Sequence, residues 1–165
     1  NVVNFIYNSA STQSLAAGTY TNLTLRAAGA KTFPSSISVT GSYAIEGTVG
    51  SRDYTANSNT FSFAGTSGSQ TIAGLSETFY ILQFTGGATK TLAGTSFGAS
   101  RLDVTGTSGV VTNNVTTVTL ANITNISLTI ASGAELVNSS GKEITMNGDL
   151  ELNGTLTNEG TISVY

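Results

Sequence analysis

Apolar residues alternate with small polar ones along almost the whole chain. Val3-Asn4-Phe5-Ile6-Tyr7 opens the series, followed by Leu23-Thr24-Leu25, Ile37-Ser38-Val39, Phe61-Ser62-Phe63, Ile81-Leu82-Gln83-Phe84 and Leu102-Asp103-Val104. Val118-Thr119-Leu120, Ile126-Ser127-Leu128-Thr129-Ile130, Ile144-Thr145-Met146, Leu150-Glu151-Leu152 and Ile162-Ser163-Val164 continue it. A period of two describes a strand with one buried and one wet face. The runs are short, and Gly, Asn and Ser clusters with turn chemistry separate them. No window reads as a helix.

Two all-β architectures fit this pattern: an antiparallel β-sandwich and a parallel β-solenoid. The segment Met146–Ile162 places a turn about every six residues, with Asn-Gly at Asn147-Gly148 and Asn153-Gly154. Asn-Gly also suits hairpins, so the sandwich stays open as the alternative. A meander of three- or four-residue strands makes a weak sheet, however, whereas such strands serve well as the sides of a coil. A coil of roughly 20–25 residues gives about seven rungs and, at ~4.8 Å per rung, a body on the order of 35 Å long. Inward Val, Ile, Leu and Phe then stack in columns, and outward Thr and Asn form ladders.

An internal repeat favours the coil. Gln13-Ser14-Leu15-Ala16 returns as Gln70-Thr71-Ile72-Ala73, and Tyr20–Leu25 as Phe79–Phe84. Gly29-Ala30-Lys31-Thr32-Phe33 returns, with one inserted residue, as Gly87–Leu92. Self-similarity at roughly 55–60 residues marks an architecture built by stacking. The chain reads as a single β-solenoid domain over 1–165, with degenerate repeats near 5–41, 61–106 and 118–165, each covering two to three coils.

Of the 165 residues, 39% are hydrophobic but only 9% are charged, against about a quarter in ordinary domains. Thr, Ser, Asn and 19 Gly fill the difference. Six Tyr and seven Phe, with many β-branched residues, predict order. The net charge of −3 is spread thinly, so nucleic acid is a poor partner. No apolar run is long enough for a spanning helix. Without cysteine, disulfides cannot hold the fold. The low charge and the Thr/Ser/Asn content point to an extracellular or cell-surface setting.

Asn4–Phe33, its copy Thr60–Leu92 and the ending Gly148–Val164 resemble the Thr/Asn/Gly-rich repeat regions of large secreted surface proteins of Bacteroidetes-type bacteria. The resemblance implies a β-helical scaffold serving adhesion or filament building, and it transfers no catalytic residues.

The chemistry on offer is sparse. No histidine is present, which rules out Ser-His-Asp and Cys-His nucleophile arrangements and His/Cys zinc sites. No cofactor is expected. Asp149 and Glu151 share one strand face, the spacing of a carboxylate pair, but read as a charged outward face that keeps a terminal strand soluble. With Glu143 one coil away they could form a weak calcium site. Gly141-Lys142 lacks the upstream glycine of a phosphate loop, since position 136 is Leu136. Thr105-x-Thr107, Thr117-x-Thr119 and Thr155-x-Thr157 raise an ice-binding β-solenoid as a rival reading. Tyr43, Tyr54 and Tyr80 are the loose aromatic candidates for a glycan-binding surface.

The termini carry the functional expectation. The sequence starts in one strand and stops in another, with no Pro-rich or helical cap, and bare edges recruit other chains. The chain therefore reads as a non-enzymatic structural protein that joins copies of itself head to tail. The contact is expected at Val3, Phe5, Tyr7, Ile162, Val164 and Tyr165. The alternative is a module of a larger surface adhesin.

Overall fold

The computed structural model describes residues 4–73, 76–106 and 109–165. The chain winds as a parallel β-solenoid of about seven turns with three faces. The first face consists of β1 (Asn4–Asn8), β4 (Asn22–Arg26), β7 (Tyr43–Glu46), β10 (Ser69–Ala73), the starts of β12 (Thr89–Val104) and β13 (Val110–Leu120), β15 (Glu135–Asn138) and β18 (Thr155–Asn158). The second consists of β2 (Gln13–Ser14), β5 (Lys31–Thr32), β8 (Arg52–Asp53), the start of β11 (Thr78–Phe84), the middle of β12, the end of β13, β16 (Glu143–Met146) and β19 (Thr161–Val164). The third consists of β3 (Gly18–Tyr20), β6 (Ser36–Val39), β9 (Thr60–Phe63), the ends of β11 and β12, β14 (Ile126–Ile130) and β17 (Asp149–Leu152). Among the described residues every ladder is parallel. The antiparallel contact is an isolated bridge between Ile123 and Ile126. This pairing excludes the sandwich.

Period-two alternation places two inward residues on most strands. On the third face, Tyr20, Val39, Phe63, Phe84, Val104, Ile130 and Leu152 stack in one column, and Ile37, Phe61, Leu82, Leu102, Leu128 and Leu150 in another. On the second face Phe79, Ala99, Leu120, Met146 and Val164 follow each other. Aromatic rings reinforce the core: Phe33 stacks on Tyr54 at 4.2 Å and Tyr54 meets Phe79 at 4.6 Å. Each large side chain buried in these columns contributes about 1.5–3 kcal/mol. One 3₁₀ turn, Ala56–Ser58, interrupts the strands. No helix is long and apolar enough to cross a membrane among the described residues.

The sequence repeat does not coincide with the turn of the coil. Gln13-Ser14 lies on the second face and its copy Gln70-Thr71 on the first. Leu23 and Leu25 lie on the first face, and their counterparts Leu82 and Phe84 on the third. Lys31 lies on the second face and Lys90 on the first. Each copy is thus displaced by one side of the triangle.

The core also holds polar groups that alternation alone places outside. Lys31 and Lys90 are both buried. Lys31 Nζ donates to the Gly29 carbonyl at 2.8 Å and the Ser9 carbonyl at 3.2 Å. Lys90 Nζ donates to the Ala88 carbonyl at 3.0 Å and the Gly65 carbonyl at 3.4 Å. Burial pulls the Lys90 pKa down. Lower on the first face, Asn113 Nδ2 donates to Asn138 Oδ1 and Asn138 Nδ2 to Asn158 Oδ1, both at 2.9 Å. This amide ladder runs down the inside of the coil.

Candidate functional site

The two rims of the coil are the first candidate. β1, β2 and β3 each pair on one side only, as do β17, β18 and β19 at the other end. The exposed large apolar side chains among the described residues all lie on these rims: Phe5 (39% exposed), Ile6 (50%), Leu152 (48%), Val164 (64%) and Tyr165 (82%). Phe5 is an inward residue, stacked on Leu23. Leu152 and Val164 stack on Ile130 and Met146. Their exposure follows from their place on the outermost described strands.

Of the self-association residues expected from sequence, Phe5, Val164 and Tyr165 are open on the rims. Tyr7 and Ile162 are half-buried and pack on the core. The Tyr7 hydroxyl pairs with that of Tyr20 at 3.0 Å. Val3 lies outside the described residues. Ile6 and Leu152 complete the rims. Leu152 was open to detection as the closing member of the Leu150-Glu151-Leu152 alternation.

A second feature interrupts the wall of the coil. On the first face β7 pairs with β4 and β10 with β12, but β7 and β10 do not pair with each other. A cavity of about 410 Å³ opens at the corner between the third and first faces, lined among others by Thr40, Ser42, Ser67, Ser69, Gln70 and Thr71. The buried Gln70 amide ties this corner together, donating to the carbonyls of Gly41 (2.6 Å) and Val39 (3.1 Å). On the second face a bridge between Tyr54 and Phe79 and the Arg52–Glu77 ion pair span the same level. The Tyr43 and Tyr54 hydroxyls bond to each other behind the break, and burial raises both pKa values above the ordinary phenol value.

The other sequence candidates disperse. Glu143 lies on the second face and Asp149 and Glu151 on the third, so the three carboxylates do not share a surface. No group of three or more metal-ligating side chains converges among the described residues. Thr117 and Thr119 lie on the second face and Thr155 and Thr157 on the first. Thr105 follows a strand end, and Thr107 is outside the described residues. Tyr54 is buried and Tyr43 packs on the core, so neither offers a ring to a glycan.

No protein-family model, no curated protein and no solved structure matches this chain.

Proposed function

We propose that this chain is a non-enzymatic structural protein of the cell surface or extracellular space, which joins copies of itself head to tail into a filament. The observation that carries the reading is the segregation of exposed large apolar side chains to the two rims. A last rung open along three strand edges is complementary to another three-faced rung of the same outline, and the first rung of a second copy supplies one. Strand addition satisfies the free backbone groups, and burial of Phe5, Ile6, Leu152, Val164 and Tyr165 adds the apolar term. A contact of unlike ends does not close on itself, so it extends. Low overall charge keeps self-repulsion small.

The test is negative-stain microscopy with sedimentation of the purified chain. Fibres are expected from the intact protein. Deletion of residues 1–7, or the double change Val164→Asp and Tyr165→Asp, is expected to leave soluble monomers with an unchanged β circular dichroism spectrum. Unchanged fibres in folded variants refute end pairing. An intact chain that stays monomeric at every concentration favours instead a module of a larger adhesin, whose own further rungs cover the rims.

A further inference from the structure

The corners between the third and first faces differ in length from rung to rung. Three residues, 40–42, make the turn from β6 to β7, and five, 64–68, make it from β9 to β10 on the following rung. The cavity of about 410 Å³ is lined by residues of both corners, and its size falls within the range of about 300–1,000 Å³ that small-molecule sites occupy. Apart from Gln70, every lining residue is Gly, Ala, Ser or Thr. These small residues keep the cavity open. A Cβ added at Gly65 would stand 3.1 Å from Gln70 Oε1, from the Thr40 carbonyl oxygen and from the Ala88 Cβ, so even one methyl group there crowds the lining.

Gln70 gives the cavity its chemistry. Its side chain is buried, and Nε2 donates to the carbonyls of Gly41 and Val39. Two acceptors on that side fix which end of the amide is nitrogen. Oε1 accepts from the Gly65 N–H at 3.4 Å, a long contact for a bond of this type. An amide oxygen has two acceptor sites, so Oε1 retains capacity for a donor from the cavity. Around it stand the hydroxyls of Thr40, Ser42, Ser67, Ser69 and Thr71, groups that donate and accept. Among the described residues, no charged side chain and no aromatic ring lines the cavity. The nearby Lys90 ammonium is engaged by the carbonyls of Gly65 and Ala88.

We propose that this corner holds a single neutral sugar residue, bound through its hydroxyls. Adjacent sugar hydroxyls donate and accept at once, which answers an amide oxygen ringed by side-chain hydroxyls. An anion finds no cation in the lining, and an aromatic ligand finds no ring to stack on. Affinity then rests on hydrogen bonds, and a dissociation constant of about 1–10 mM is expected. The site lies on the wall of the coil, so a copy joined at both rims still presents it.

The probes are the methyl glycosides of glucose, galactose and mannose, offered singly to the full chain. Saturation-transfer NMR reads binding, and amide hydrogen exchange locates it. The expected result is a saturable signal from at least one of the three, with slowed exchange at residues 40–42 and 65–71. Ser69→Trp, which fills the mouth from an exposed position, should weaken binding by about tenfold or more. Gly65→Ala serves as a second plug. Thr71→Val keeps the volume but removes one hydroxyl, and should weaken binding about three- to tenfold. Circular dichroism identifies the variants that keep the fold. No saturable binding by any of the three, unchanged binding in folded plugged variants, or protection elsewhere overturns the proposal. So does equal binding of glycerol or cyclohexanol, or binding of methyl glucuronoside when the neutral glycosides fail. The rims are untouched by these variants, so failure here leaves the filament reading to its own test.

Discussion

Asn138→Ala isolates the internal amide ladder. Asn138 is fully buried. Its Oδ1 accepts from Asn113 Nδ2 at 2.9 Å, and its Nδ2 donates to Asn158 Oδ1 at 2.9 Å and the Thr161 carbonyl at 3.1 Å. Truncation strands the Asn113 amide in the core, since Asn113 is itself buried. An orphaned buried donor costs about 1–3 kcal/mol, and loss of the corner contact to Thr161 adds about 1 kcal/mol. The expected loss is therefore about 2–4 kcal/mol. Asn158→Ala removes the same chemical group from a rung open to water, where the partner atoms rehydrate, and should cost less than about 1 kcal/mol. Urea unfolding followed by circular dichroism measures both variants, with the slope checked for partial unfolding of a stacked array. Equal losses for the two, or a loss within about 0.5 kcal/mol for Asn138→Ala, would show that burial of the ladder does not set its contribution.

Alkaline pH tests the buried tyrosines. The fold keeps Tyr43 and Tyr54 protonated above the ordinary value of 10.0, so above that pH the unfolded chain holds fewer protons. Stability then falls with rising pH, by about 2.7 kcal/mol per unit for the two together. Lys90 acts in the opposite sense, because its pKa is lowered from 10.5. Its contribution rises with pH between its folded value and 10.5, then levels off. A urea midpoint that stays flat as the pH passes well beyond 10 contradicts the burial of these hydroxyls. Glu77→Gln leaves Arg52, a largely enclosed guanidinium, without its carboxylate. It should cost about 1–3 kcal/mol by thermal unfolding, and a change within experimental scatter would show that the pair does not pin the break. Gly154→Ala would drive a Cβ into the carbonyl oxygens of Ala131 and Ala134. A loss of more than about 2 kcal/mol is expected, and a neutral outcome would mean that the corner relaxes.

The strands were legible because their inward and outward residues differ in chemistry. Leu23-Thr24-Leu25 and Ile144-Thr145-Met146 declare their faces, and the coil follows from how short they are. Thr89-Lys90-Thr91-Leu92 misleads the same rule: Lys90 points inward beside Leu92, and the threonines face out. The signal available was that Lys31 and Lys90 recur at matching places in the repeat. Asn113, Asn138 and Asn158 hide similarly, because their ladder crosses loops of unequal length. The expected rim contact was half visible. Alternation marks Phe5 and Val164, but only the pairing register shows that Leu152 shares a rim with Val164. The break in pairing between β7 and β10 was not legible at all, since the two strands belong to different coils.

The one-side offset of the repeat bears on how such a chain lengthens. A segment that served as one wall of the prism serves as the neighbouring wall when copied, as Lys31 and Lys90 do. The sides are interchangeable modules, so a duplication need not span whole circuits to be accommodated. Genetic growth of this body can proceed in increments of a third of a revolution, with slack taken up at the vertices.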